Sequence, residues 1–507
     1  MSKNVEKNFD IATTDPSPNL PTILDSKAET RLLRKLDIVI IPLATLLYLS
    51  AYLDRGNLGN AKIIGLMDVL GESSTAYSLA LSFFFIPYIL LSIPGTLAAK
   101  VFMPSHSIAA GALIWSIGAC CQAAVNNPGG LYICRILVGI GEAFFGQAMA
   151  LYFTIWYKRN EVAKRVGFFI SAGAVSGAFG GLIAFGVSSI HKPKIDAWRI
   201  LFLIEGCPSL VLAIVVFFCL PTRPETSKYL KESERDLLIA RLAPEKDRTN
   251  QIAIQPGQGL KQRLNDRINW HGVQRGFTCG WTIVSAIAYS CLNLCLGSVS
   301  GFLPTIIKDL GYTAAKAQLM SVPPYVVALV VMLLVTSYSD RKLTRGIPAA
   351  CIFCVGIVGW AILLAVPAKN PVPTDLHARY FGIICITTAG YCNIPLMISW
   401  VGNNCKDESM RAVGLGLMNS VGQCLSILAA FLFPKQEGPK FVKGAAVNIA
   451  FQALGLVIVL SLTTYFRWYN AKKDREEGNV NDLDMSPEEK EFESTKFDRA
   501  KGFRFVC

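Results

Sequence analysis

YLDRGNLGNAK, residues 52–62, closes the first long apolar run of the chain, IVIIPLATLLYLSAYL at 38–53. Asp54 and Arg55 stand side by side in it. On an ideal helix Arg55, twenty residues past Lys35, lies about 30 Å further along, the thickness of a bilayer's hydrocarbon core. Two readings are open. The pair marks the point where the helix leaves a membrane, or, in a tilted helix that continues through NLGNAKIIGLM, it is buried and handles something charged.

The rest of the chain makes a membrane the right setting for that question. Of 507 residues, 52% are hydrophobic and only 17% charged, and the mean hydropathy is +0.41. This composition is that of an integral membrane protein, not of a soluble globule. The first 35 residues are polar, mixed in charge and rich in Pro, Ser and Thr, with no signal-peptide pattern, and read as a disordered cytosolic tail. The formal charge of +13 sits in short clusters between apolar runs, so it reports topology and not binding to nucleic acid. Most of the fifteen cysteines, Cys120, Cys121, Cys134, Cys219, Cys291, Cys295 and Cys385 among them, fall inside apolar runs as small hydrophobes. Cys351 and Cys354 form a CxxC without a partnering His or second pair, so no disulfide, metal site or cofactor is expected.

Twelve apolar runs are long enough to span a bilayer: 37–56, 75–97, 107–125, 131–153, 165–188, 199–220, 277–300, 318–337, 347–366, 379–400, 412–433 and 445–466. The largest gap, 221–272, is charged and divides them six and six. The expected fold is an all-α membrane protein with twelve transmembrane helices in two six-helix bundles, the layout of a carrier with a midplane site. Its parts are a disordered tail at 1–35, a first bundle at 36–220, a cytosolic central loop at 221–275, a second bundle at 276–468 and a cytosolic tail at 469–507. Basic residues before helix 1, in WYKRNEVAKR (156–165) and in SDRKLTRG (339–346), place both termini in the cytosol, although SSIHKPKIDAW and PKQEGPKFVKG carry lysines on the other side.

Charged residues inside the runs carry the chemistry. In LYICRILVGIGEAFFGQAMALYF (131–153), Arg135 and Glu142 are seven residues apart, on one helical face. They are either an ion pair that fixes packing or groups facing a polar cavity. Arg55 or Arg135 suits an anionic substrate, because the guanidinium fork stays charged and matches a carboxylate. Asp54 and Glu142 are the groups able to carry a proton. Such a pairing has an energetic purpose: an inside-negative potential opposes anion entry by about 2.3 kcal/mol per charge per 100 mV, and co-transported protons cancel it. Tyr48, seven residues before Arg55, shares its face. Asn393 in GYCNIPLMISWVGNNC (390–405) either presents its amide to a substrate or satisfies backbone groups freed by Pro395. Gly173, Gly177 and Gly181 form a smooth stripe suited to close helix packing.

These stretches, together with 135–181, AWRILFLIEGCPSLVLAIVVFFCLPTRPETSKYL (197–230), FLPTIIKDLGYTAAKAQLMSVPPYVVA (302–328), RYFGIICITTAGYCNIPLMISWVGNN (379–404) and MRAVGLGLMNSVGQ (410–423), resemble the anion:cation symporter family of the major facilitator superfamily. More narrowly they look like its fungal allantoate permease and high-affinity nicotinic acid transporter branch. The resemblance covers most of residues 36–470. It implies the major facilitator fold, substrate binding at Arg55, and proton coupling at Asp54 and Glu142. It also implies an inner-gate latch at Asp340 and Arg341. The equivalent latch of the first half is missing, since AKVFMPSHS (99–107) has no aspartate, and GQCLSILAA (422–430) replaces a glycine-rich stretch.

The function expected is secondary active transport: a plasma-membrane symporter, working as a monomer, that moves a small organic anion with protons. Nicotinate leads, with allantoate, pantothenate or another carboxylate as alternatives, and a non-transporting nutrient sensor of the same fold as a second class. An enzyme is not expected, because the loops hold no His-rich metal cluster or nucleophile elbow.

Overall fold

The computed structural model describes residues 26–190, 195–242, 268–367, 373–405, 407–478 and 496–507. Among them the chain is helical and contains no strand. The first half consists of α1 (Ser26–Ala61), α2 (Ser74–Val101), α3 (Pro104–Gln122), α4 (Pro128–Ala143), α5 (Gly146–Trp156), α6 (Arg159–Ser188) and α7 (Ala197–Cys219). Two short helices follow, α8 (Glu232–Leu242) and α9 (Trp270–Thr278). The second half consists of α10 (Gly280–Lys308), α11 (Ala314–Lys342), α12 (Gly346–Ala365), α13 (Pro373–Asn404), α14 (Glu408–Ala429) and α15 (Val442–Glu477). Each of the twelve apolar runs falls mainly on one of these helices, except that 131–153 is divided between α4 and α5; 277–300 begins in the last turn of α9 and continues as α10.

Local chemistry sets the helix starts. Ser73, Asn127, Thr313 and Asp407 each accept a hydrogen bond from the backbone N–H three residues on, at 2.8–3.3 Å, and Pro104 and Pro128 occupy first-turn positions where no N–H is missed. Among the described residues, ten helices are long and apolar enough to cross a membrane. The exceptions are α3 and the interrupted α4–α5. Buried hydroxyls spend their protons on the preceding turn, as Ser92, Thr96, Ser116 and Ser298 do at 2.7–2.9 Å, which keeps polar atoms satisfied away from water. Outward faces carry exposed Ile38, Leu90, Phe218, Leu334 and Val457, an apolar surface suited to lipid.

The tails are more structured than the expectation. Residues 26–35, assigned to the disordered tail, are the first turns of α1. Leu32 is buried there, Lys35 pairs with Glu234 at 2.6 Å, and Glu29 accepts from Arg241 at 2.5 Å. Glu234 and Arg241 of the central loop thus have partners on α1, and α8 folds back against it. At the other end, α15 continues to Glu477, and residues 496–507 return to the same end of the second bundle. Phe505 stacks on Phe466 with ring centroids 4.3 Å apart, and the Val506 carbonyl accepts from Trp400 Nε1 at 2.8 Å. Residues 1–25, 243–267 and 479–495 of the expected tails and loop lie outside the described residues.

Three seams join the halves. The glycine stripe of α6 packs on α11, with Gly177 against the Tyr325 ring and Gly181 against Ser321. Along the second seam, Asn419 of α14 donates to Ser92 Oγ of α2 at 2.9 Å. At the third, α1 meets α10 where a Cβ on Gly59 would stand 2.8 Å from the Ser300 carbonyl oxygen. Backbone cannot yield as a side chain can. Gly59→Val is therefore expected to prise α1 from α10 at a cost of about 1–3 kcal/mol, enough to depopulate the closed seam by roughly 5- to 150-fold. Cross-linking between cysteines introduced on α1 and α10 beside this contact measures the closed seam, and wild-type cross-linking in Gly59→Val would mean that the seam absorbs the added methyls.

Candidate functional site

Adjacent residues of a helix point about 100° apart, and Asp54 and Arg55 accordingly meet different neighbours. Helix α1 runs on past them to Ala61, so neither lies at its end. Arg55 forms an ion pair with Glu142 of α4. Its guanidinium carbon lies 4.9, 4.8 and 5.1 Å from the ring centres of Tyr52, Phe84 and Tyr88. The rings hold the cation in place by their negative faces while shedding water around it. The pair is only half satisfied, since Arg55 Nε and Glu142 Oε1 are buried without a hydrogen-bond partner in the protein. Asp54, 2% exposed, turns instead to α7, where Ser209 Oγ donates to Oδ2 at 3.0 Å.

Glu142 lies just before the interruption of its span. There the backbone hydrogen bonds tighten to the three-residue pattern, from Phe144 N–H to the Gly141 carbonyl and from Phe145 N–H to the Glu142 carbonyl. Glycines on either side of Ile140 let α4 come against α2 and α3, which brings Glu142 within reach of Arg55.

Arg55 opens into a cavity between the halves. One part of it is lined by Tyr52, Asn60 and Ser176 from the first bundle and by Tyr325, Tyr391, Gln423 and Ser426 from the second. Tyr48, Tyr88, Glu142, Phe169 and Tyr289 line its continuation toward the end that carries the described termini. A polar string supports the second wall: Gln423 Nε2 donates to Asn293 Oδ1 at 3.3 Å, and Ser426 Oγ to Gln423 Oε1 at 2.9 Å.

The structure brings together Arg55, Glu142 and Tyr48, whose hydroxyl donates to that of Tyr52 at 3.1 Å. It separates others. Arg135 shares a helix with Glu142 but is not its partner; it is 1% exposed, has Nε and Nη2 without protein partners, and borders the recess beside Arg55. Asn393 is fully buried, and neither end of its amide is hydrogen-bonded, so it does not satisfy the backbone around Pro395. Its neighbour Tyr391 reaches the cavity instead. Asp340 pairs with Arg345 at 2.5 Å, while Arg341, expected as its latch partner, is exposed. The residues that the sequence reading passed over include Tyr52, Phe84, Tyr88 and Tyr391 as well as Tyr289, Tyr325, Gln423 and Ser426. The signal for the last two was present, because GQCLSILAA stood out as a departure.

Residues 44–431 match the sequence model of the Major Facilitator Superfamily. The chain belongs to this superfamily. Its relatives include an uncharacterized transporter of Schizosaccharomyces pombe, 31% identical over 90% of this chain and 86% of that protein. The high-affinity nicotinic acid transporter of Saccharomyces cerevisiae is 29% identical, over 92% of this chain and 83% of its own length. Among solved structures, the proton:xylose symporter XylE with bound 6-bromo-6-deoxy-D-glucose superposes with a TM-score of 0.62 at 16% identity, over 84% of this chain and 95% of that one. That likeness establishes the major facilitator fold, with two six-helix bundles. The chain is an integral membrane transporter of this superfamily, not an enzyme.

Proposed function

We propose that this transporter is a proton-coupled symporter of small organic carboxylates, of the anion:cation symporter branch, and that nicotinate is its leading substrate. The observation that carries the reading is the half-satisfied Arg55–Glu142 pair on the wall of the cavity between the bundles. A substrate carboxylate competes with Glu142 for the guanidinium fork. Once displaced, Glu142 faces a low-dielectric cavity without a counter-ion, and a proton neutralises it more cheaply than water can reach it. Anion binding and proton uptake are thereby tied to one event, and the net charge moved inward no longer opposes the membrane potential.

The cage of Tyr52, Phe84 and Tyr88 around Arg55, with Tyr325 and Tyr391 opposite, suits a planar ligand. The relation to a nicotinic acid transporter supports the same choice. The Asp340–Arg345 pair, at the end where 496–507 docks, is assigned to the inner gate, with that end in the cytosol of a plasma-membrane protein.

The test is uptake of labelled nicotinate, at acidic pH, into yeast lacking its own nicotinate carrier, with and without an uncoupler. Uncoupler-sensitive uptake, inhibited by unlabelled nicotinate more than by allantoate or pantothenate, is the expected result. Absence of uptake in correctly localised protein would remove nicotinate, and a screen of other carboxylates would then decide the class.

A further inference from the structure

Glu205 stands in the middle of α7, a helix whose only other charged residue is Arg199 near its start. It is 4% exposed, and neither carboxylate oxygen has a hydrogen-bond partner in the protein. The neighbouring Gly206 packs on the backbone of Cys120 in α3, so no room is left for the side chain to swing into lipid on that side. One turn further on, Ser209 ties Asp54 of α1 to the same face, donating to Asp54 Oδ2 at 3.0 Å with the Glu205 carbonyl as its alternative acceptor at 2.9 Å. A hydroxyl has one proton, so it serves one acceptor at a time. Neither carboxylate lines the cavity into which Arg55 opens.

Among the described residues, no cation pairs with Glu205. Asp54 is the ionisable neighbour whose charge reaches it, and Asp54 in turn feels Glu142 and Arg135. From α3, Cys120 lies beside Gly206, and His106 packs edge-on to Phe217 near the opposite end of α7. Helix α6 carries its charges only between Arg159 and Arg165 at its start, where Arg165 is taken by Asp37. Lys62 of the π-helical turn against α7 is directed into the rings of Tyr77 and Phe302. Arg199 binds Asp196 and the Ala123 carbonyl. Among the described residues, the buried centre of the first bundle thus holds three carboxyls, Asp54, Glu142 and Glu205, against two guanidiniums, Arg55 and Arg135. Out of water, such a surplus is relieved by a proton.

We propose that Glu205 and Asp54 form a second proton-holding pair, set behind α1 from the cavity, which supplies the proton that Glu142 takes when substrate displaces it from Arg55. The proton leaves a Glu205 oxygen for Asp54 and passes from there toward Glu142, and Glu205 is reloaded from solvent in the other half of the cycle. The proposal rests on the carrier reading above, and its test separates the two.

The experiment uses the full chain in liposomes, with labelled nicotinate as probe, comparing uptake driven by an inward proton gradient with gradient-free exchange. Glu205→Gln is expected to lower gradient-driven accumulation by about tenfold or more and to flatten its dependence on pH, while exchange keeps its KM. Glu205→Asp, which restores a carboxyl, is expected to recover coupled uptake with a displaced pH midpoint. Wild-type accumulation and pH profile in Glu205→Gln would overturn the proposal and leave the carrier reading intact. Nicotinate exchange in the wild type without any gradient-driven accumulation would overturn both, because the carrier would then bind the anion without proton coupling. Should Glu205→Gln fail to fold, Glu205→Asp decides: a displaced pH profile supports the pair, and an unchanged one overturns it.

Discussion

Arg55→Ala is expected to abolish carboxylate uptake while the protein still reaches the membrane. The substitution deletes the cation of the cavity wall that has a carboxylate on it and three rings around it. A desolvated hydrogen bond between charged groups is worth about 2–5 kcal/mol when one partner is truncated, so substrate binding should weaken on the order of 10²-fold or more. Folding survives, because Glu142 accepts a proton where it would otherwise be left as an unpaired buried charge. Arg55→Lys should recover little of the loss, since a point charge on a flexible stem neither forms two parallel bonds to a carboxylate nor stacks between Phe84 and Tyr88. Uptake normalised to protein in the membrane fraction is the measurement. Normal uptake by Arg55→Ala would end the binding role of this residue.

Glu142→Gln is expected to separate binding from coupling. The amide cannot match the carboxylate's hold on Arg55, so the substrate anion meets a guanidinium without its internal competitor. KM for exchange should fall several-fold, and accumulation against a gradient should drop by about 10²-fold, because the displaced group no longer takes a proton. The direction of the KM change distinguishes this variant from Glu205→Gln. Glu205 makes no contact with Arg55, so its loss leaves KM in place. Uptake and exchange measured from acidic to neutral pH in one preparation give both quantities. Proton-driven accumulation equal to wild type would exclude Glu142 from coupling.

How much of this was legible in the sequence differs by level. The twelve spans were, because each must cover a fixed apolar thickness and because caps such as Ser73, Asn127 and Asp407 act within three residues of themselves. The buried status of Arg55 and Glu142 was legible through their resemblance to a family, and spacing alone left the exit reading open for Arg55. Residues 26–35 were misread as tail because their partners Arg241 and Glu234 stand about two hundred positions away, in a loop helix that carries no apolar run of its own. Arg341 was named for the latch by position in a motif, while the geometry of the turn after α11, with Leu343 at a left-handed φ of 50°, brings Arg345 back to Asp340 instead.

Sequence by itself determined the membrane class, the number of spans and the set of charged side chains inside them. Tertiary structure decided which of those charges meet. Helical periodicity places Arg135 and Glu142 on one face of α4, but it does not say what that face touches. The packing of α4 against α2 and α3 brings Glu142 to Arg55 of α1, across 87 residues, and leaves Arg135 without a partner on two of its nitrogens. The packing of α1 against α7 turns Asp54, next in the chain to Arg55, toward Ser209 on the same face as Glu205. Hydropathy and capping are short-range and can be read along the chain. The cost of burying charge depends on distances between helices, and those exist only once the bundle has closed.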